Sequence, residues 1–104
     1  MIRREEFKEV EGLAGGHGKA LKREIVSKSE LYGHGRLYAH MKLKPGSCVG
    51  WHQHEKDTEP YYILKGEGDF YEGASEFSER KKTHVKAGEV CLINVGQWHA
   101  IENN

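Results

Sequence analysis

The sequence predicts an all-β fold, an antiparallel β-barrel or jelly roll. Two observations carry that prediction. Thirteen glycines stand against two prolines in 104 residues, and they fall between short runs in which apolar and polar residues alternate. That is the pattern of half-buried strands joined by tight turns. The runs are also evenly spaced, as in sheets that close on themselves.

Taken in order, residues 1–18 form an N-terminal arm and a glycine-rich loop. Residues 3–11 are mostly charged and read as one helical turn or a flexible arm, and Gly12 opens a loop that runs through Gly18. Residues 19–26 read as a strand. Ser27, Lys28, Ser29 and Glu30 have capping-box spacing, which starts a single helical turn ended by Gly33. Over residues 36–43, Leu37, Ala39, Met41 and Leu43 share one face of a strand, and Arg36, Tyr38, His40 and Lys42 share the other. In the strand that Glu59 opens, Tyr61 and Ile63 lie on the Glu59 face and Tyr62 and Leu64 on the opposite one. Both faces are largely apolar, so this strand is expected to be covered on both sides. Gly66 to Gly68 turn the chain into a strand at 69–72. Residues 74–83 read as a polar hairpin tip, 84–86 as a return strand and 90–93 as an apolar one. His99 opens the last strand, with Ile101 on its face.

A chain of 104 residues is read as one domain, residues 1–104, with one core. Sixteen basic and sixteen acidic side chains cancel. With no basic stripe the expectation is no nucleic-acid partner, and with apolar runs of only a few residues, no membrane span. The N-terminal Met-Ile-Arg-Arg-Glu-Glu lacks the apolar stretch of a secretory signal. Cys48 and Cys91 form neither a disulfide framework nor a thiolate zinc motif, so cytoplasmic localisation is expected.

The most informative stretch runs from Gly46 to Gly66. His52 and His54 stand two apart, and positions i and i+2 of a strand project to one face. Glu59 follows a polar connection long enough to reverse the chain, so its carboxylate meets the two imidazoles from the neighbouring strand. Two nitrogens and an oxygen converging from a hairpin suit a divalent metal. His99, three residues after Gly96, is a fourth candidate. His17, His34, His40 and His84 have no partner at ligand spacing and read as surface or packed residues.

These residues resemble the cupin superfamily, and small bacterial single-domain cupins in particular. Gly46, His52, His54, Glu59 and Gly66 match the first motif, G-x5-H-x-H-x4-E-x6-G, over residues 46–66. Gly88, Gly96, His99 and Asn103 match the second, G-x5-P-x-G-x2-H-x3-N, over residues 88–103, with Asn94 where the family has proline. The resemblance implies a double-stranded β-helix (jelly roll) holding one divalent metal ion per subunit near one mouth, through His52, His54, Glu59 and His99. Such a ligand set leaves two positions of an octahedral ion open and admits Mn, Fe, Ni, Zn or Co. In the family the second motif is followed by a further apolar strand, whereas here the sequence stops at Glu102, Asn103 and Asn104. Either the N-terminal segment closes the barrel or a partner chain lends a strand, and a homodimer with a shared edge is the expectation.

Beyond the ligands, Tyr61 shares the Glu59 face and is either a catalytic hydroxyl or an aromatic filling the barrel. Gln97 and Trp98 precede His99 and are candidates for the rim of a substrate pocket. The stripe of Arg36, Tyr38, His40 and Lys42 either lines a pocket for a carboxylate or is a solvated or subunit-facing surface. Two function classes follow. One is a metal-dependent enzyme on a small oxygenated molecule, with oxalate-decarboxylase-like, isomerase or dioxygenase chemistry. The other is a non-catalytic protein that binds a sugar or small acid at a metal anchor.

Overall fold

Alternating side chains and glycine turns give nine strands and no α-helix. The computed structural model describes residues 1–104. Its strands are β1 (Lys8–Glu11), β2 (Lys19–Val26), β3 (Tyr38–Leu43), β4 (Cys48–Gln53), β5 (Glu59–Tyr62), β6 (Glu67–Gly73), β7 (Lys81–Lys86), β8 (Val90–Ile93) and β9 (Trp98–Glu102), with a 3-10 turn at Leu13–Gly15. They form antiparallel sheets ordered β1-β2-β3, β4-β9-β6-β7 and β5-β8. The architecture is the expected jelly roll.

The core is small. Phe70, Val85, Cys91 and Ile93 form its buried centre, flanked by Tyr61, Ile63 and Ile101. Phe70 faces Ile101 across the β6–β9 ladder, and Glu72 faces His99 two residues further along. The apolar floor and the histidine above it therefore sit on one inward surface. On β4, Val49 pairs with Ile101 and His52 with His99, so three steps on one strand match two on the other. This bulge at Gly50 and Trp51 absorbs the extra residue and lets both Val49 and His52 face inward.

Two expectations need correction. The charged N-terminal segment is not a helical turn or a free arm: Lys8–Glu11 pairs with β2 in register from Lys8 with Lys22 to Glu11 with Lys19. Phe7 anchors it, edge-on to His40 at 5.0 Å and capped by the Arg23 and Lys42 cations. This strand joins β2 on the side away from β3, at the outer edge of its sheet. Second, β5 is covered on one side only. Tyr62 and Leu64 are about 60% exposed, and Val90 and Leu92 of β8 are more than half exposed beside them. The capping box does form: the Ser27 hydroxyl accepts the Glu30 N–H and the Glu30 carboxylate accepts the Ser27 N–H. It supports only a turn, which ends where Tyr32 and Gly33 take positive φ.

Candidate metal centre

Each member of the site is positioned by a different local device. His52 points inward because of the β4 bulge, and its Nδ1 lies 2.7 Å from the Gly50 carbonyl oxygen. A carbonyl only accepts, so Nδ1 carries the proton and Nε2 keeps its lone pair. His54 follows the end of β4, with Nδ1 2.9 Å from Asp57 Oδ1. The same reasoning leaves its Nε2 as a free donor atom. His99 on β9 is fully buried. Burial, and then the neighbouring His52 and His54, push its pKa down to about 3, so it is neutral at ordinary pH. Glu59 opens β5 and places Oε1 3.2 Å from His54 Nε2 and 3.8 Å from His99 Nε2.

The donor atoms of His52, His54, Glu59 and His99 all lie within 4.8 Å of one another, an arrangement able to hold a metal ion. The chemistry of the set supports the fit. Nε2 of His54 and of His99 are buried and lack any hydrogen-bond partner. Leaving a buried polar atom unsatisfied costs about 1–3 kcal/mol. Two lone pairs and a carboxylate sharing one small space are reconciled by a cation, which satisfies all of them at once.

Tyr61 lies against this cluster, its ring 5.6 Å from the His99 ring and its hydroxyl 3.5 Å from His99 Nδ1. Burial first, and then the Glu59 charge, push the Tyr61 pKa up, so the hydroxyl keeps its proton. Asn94, in the place of the family proline, uses an N–H that proline lacks: it donates to Gln97 Oε1 at 3.1 Å. Gln97 then donates from Nε2 to Glu72 at 2.9 Å, while the Gly96 N–H binds the His54 carbonyl. Gln97 thus braces the turn beside the metal-directed histidines. Trp98 alternates away from His99 and stacks on Trp51 at 6.0 Å, with Arg80 over the Trp51 ring. His40 packs on Phe7 and Arg23, away from the four donor atoms, and Tyr38 is 56% exposed. Arg36 alone of that stripe reaches the centre, 3.1 Å from Asp57 Oδ2 and 3.2 Å from His54 Nδ1.

Two residues at the site escape a sequence reading. Glu72 faces His99 only through the non-local β6–β9 register. It also lines an open cleft of about 670 Å³ with Arg80, Lys81 and Gln97, which none of the four donor residues lines. Asp57 sits in the polar connection and carries a weak signal, its position three residues after His54.

A jelly roll with an inward His-His-Glu-His cluster defines a class of protein, and comparison with known proteins agrees. Residues 39–104 match the cupin domain family, to which this chain belongs. Its relatives include the oxalate-binding protein of Thermotoga maritima, 42% identical over 94 residues, covering 90% of this chain and 73% of the relative. A solved Thermotoga maritima structure, described as a predicted oxalate decarboxylase, superposes with a TM-score of 0.88 at 39% identity, covering 99% of this chain and 87% of that one. A domain of Drosophila melanogaster CENP-C shares the fold alone, with a TM-score of 0.68 at 16% identity over 95% of this chain and 63% of that one.

Proposed function

We propose that this chain, acting as one cupin unit over its 104 residues, binds a divalent metal ion through His52, His54, Glu59 and His99 and uses it to anchor a small dicarboxylate of the oxalate type. The observation that carries this reading is the pair of buried imidazole nitrogens, His54 Nε2 and His99 Nε2, with no partner of their own. A bound divalent ion supplies positive charge and open coordination positions for carboxylate oxygens. The protein supplies the rest: the floor of Phe70, Tyr61 and Ile101 limits water, and the Tyr61 hydroxyl stays protonated beside His99. The oxalate-binding relative supports the choice of ligand.

Glu72 favours a second reading, in which the bound acid is turned over. Glu72 pairs with His99 in the β6–β9 ladder, and its carboxylate accepts a hydrogen bond from Gln97. It is the candidate for delivering a proton. In a decarboxylation the C–C bond of hydrogen oxalate breaks, carbon dioxide leaves, the remaining carbon takes a proton and the carboxyl proton is given up in return, so that the net product is formate. A homodimer belongs to this reading as well. The β3 and β5 edges each lack a partner strand on their free side, and the apolar outer face of β5 and β8 adjoins the second of them. A second copy of this chain is the occupant we assign to that face.

Calorimetric titration of oxalate into metal-loaded and metal-free protein tests the proposal. Binding by the loaded form alone, with weaker binding of malonate, is the expected result. Equal binding by both forms, or none by the loaded form, contradicts it. Release of carbon dioxide and formate in equal amounts distinguishes turnover from binding.

A further inference from the structure

The lone pair of His54 Nε2 is available to a metal only in the tautomer that carries its proton on Nδ1. Three groups bear on that tautomer, one of them Glu59 Oε1, which lies 3.2 Å from Nε2 and favours a proton there as Arg36 does. Asp57 Oδ1, 2.9 Å from Nδ1, is an acceptor and requires a proton there. Arg36 Nη2, 3.2 Å from the same nitrogen, is a donor and requires a lone pair there. One ring nitrogen cannot satisfy both. The shorter contact goes to the carboxylate, and Arg36 is drawn to Asp57 as well, through Nε at 3.1 Å from Oδ2. His54 itself is 7% exposed, so water does not arbitrate freely.

We propose that Asp57 is a positioning residue that selects the metal-ready tautomer of His54, and that Arg36 holds Asp57 in place while opposing that tautomer whenever Asp57 is lost. The inference rests on the metal reading above but has a test of its own. It follows the rule that a metal-binding imidazole is oriented through its other nitrogen. Its unusual part is the sign assigned to Arg36. With the carboxylate present, the guanidinium is a brace, because its charge is spent on Asp57. With the carboxylate gone, the same guanidinium is the nearest partner of Nδ1. It then stabilises the lone pair there and drives the proton onto Nε2, the atom the metal needs. Both side chains lie at the surface, Arg36 at 61% and Asp57 at 40% exposure, so replacing either leaves the packed core of Phe70, Val85, Cys91 and Ile93 untouched.

The test measures Co2+ affinity by calorimetry, and the His54 tautomer by nitrogen NMR of the metal-free protein, in wild type, Asp57→Ala, Asp57→Asn, Arg36→Ala and the Asp57→Ala/Arg36→Ala double variant. Wild type is expected to show the Nδ1–H form. Asp57→Ala is expected to shift to the Nε2–H form and to weaken Co2+ binding by about 10- to 100-fold. Adding Arg36→Ala to it should restore part of that loss, whereas two independent deletions would simply add their losses. Asp57→Asn, closest in shape, guards against a folding defect and is expected to fall between wild type and Asp57→Ala. Nε2–H in the wild type, an unchanged tautomer in Asp57→Ala, or a double variant weaker than Asp57→Ala overturns the proposal. Absence of Co2+ uptake by the wild type overturns the metal reading separately, since the tautomer is read without metal.

Discussion

Gly50 joins the glycine-rich loop to the metal centre, and adding a single methyl group there tests the connection. Gly50 sits in the β4 bulge and its carbonyl accepts the His52 Nδ1–H at 2.7 Å. A Cβ at this position would lie 2.6 Å from the Gly16 nitrogen, 2.9 Å from the Gly15 carbonyl carbon and closer still to the Ala14 carbonyl oxygen. Comfortable separations are about 3.5–4.0 Å, and every one of these neighbours is backbone, so no side chain can swing aside. The loop over Leu13–Gly15 must lift or β4 must retreat. Overpacking of this kind costs about 1–3 kcal/mol, and the rigidity of the neighbours places Gly50→Ala at about 3 kcal/mol. At about 4–8 °C per kcal/mol for a chain of this size, the melting temperature falls by about 12–24 °C. Gly15→Ala is the control: nothing lies within 4 Å of its Cβ, and only the φ of 74° is unfavourable, a cost of about 1–2 kcal/mol. Thermal unfolding of the metal-free variants, followed by metal titration, is the assay. Because the His52 acceptor moves with Gly50, metal affinity should fall by about tenfold or more in Gly50→Ala and stay near wild type in Gly15→Ala. A Gly50→Ala protein that melts within about 2 °C of wild type and keeps its metal affinity refutes the close approach on which the argument rests.

Four further outcomes follow. His99 resists protonation until about pH 3, whereas an unfolded histidine titrates near 6.5; metal-free stability is therefore fully present above about pH 6.5 and falls as pH drops, by up to about 1.4 kcal/mol per unit. Urea midpoints at pH 7.5 and 5 that coincide, or a slope that survives His99→Gln, contradict this. Tyr61→Phe keeps the ring on Phe70 and His99 but removes the hydroxyl beside His99 Nδ1, and a loss of about 1 kcal/mol, or about fivefold in metal affinity, is expected in a titration; no change assigns Tyr61 to packing alone. If the bound acid is turned over, Glu72→Gln lowers kcat by about 10²–10⁴ with metal content intact, and an unchanged rate removes Glu72 from the chemistry. Light scattering is expected to give twice 11.9 kDa, with Leu92→Glu, on the exposed face of β8, reducing it to a monomer; wild type at 11.9 kDa dismisses the dimer.

The candidate site was legible in the sequence wherever its geometry is local. Strand alternation carries His52 and His54 to one region, a single reversal brings Glu59 back, and a motif glycine precedes His99. Features set by pairing over long separations were not. The β6–β9 register that pairs Glu72 with His99 joins residues 27 apart, and no periodicity encodes it. The strand character of Lys8–Glu11 was hidden by charge, because what orders it is Phe7 finding His40, Arg23 and Lys42. Tyr62, Leu64, Val90 and Leu92 look like core by hydrophobicity, yet they face outward. Alternation separates the two faces of a strand but does not say whether anything covers the second. The Asn94 substitution illustrates the same limit: its N–H bond to Gln97 replaces the constraint a proline ring supplies, through a side chain three residues away.

The central claim is that four side chains from β4, the residue after it, β5 and β9 hold one metal ion. A crystal structure of the protein grown with Mn2+, with anomalous data collected at the manganese edge, tests it most directly. The account predicts one strong peak, within about 2.0–2.3 Å of Nε2 of His52, His54 and His99 and of a Glu59 carboxylate oxygen. No peak at that position with Mn2+ in excess, or a peak held by other residues while these four stay apart, contradicts it.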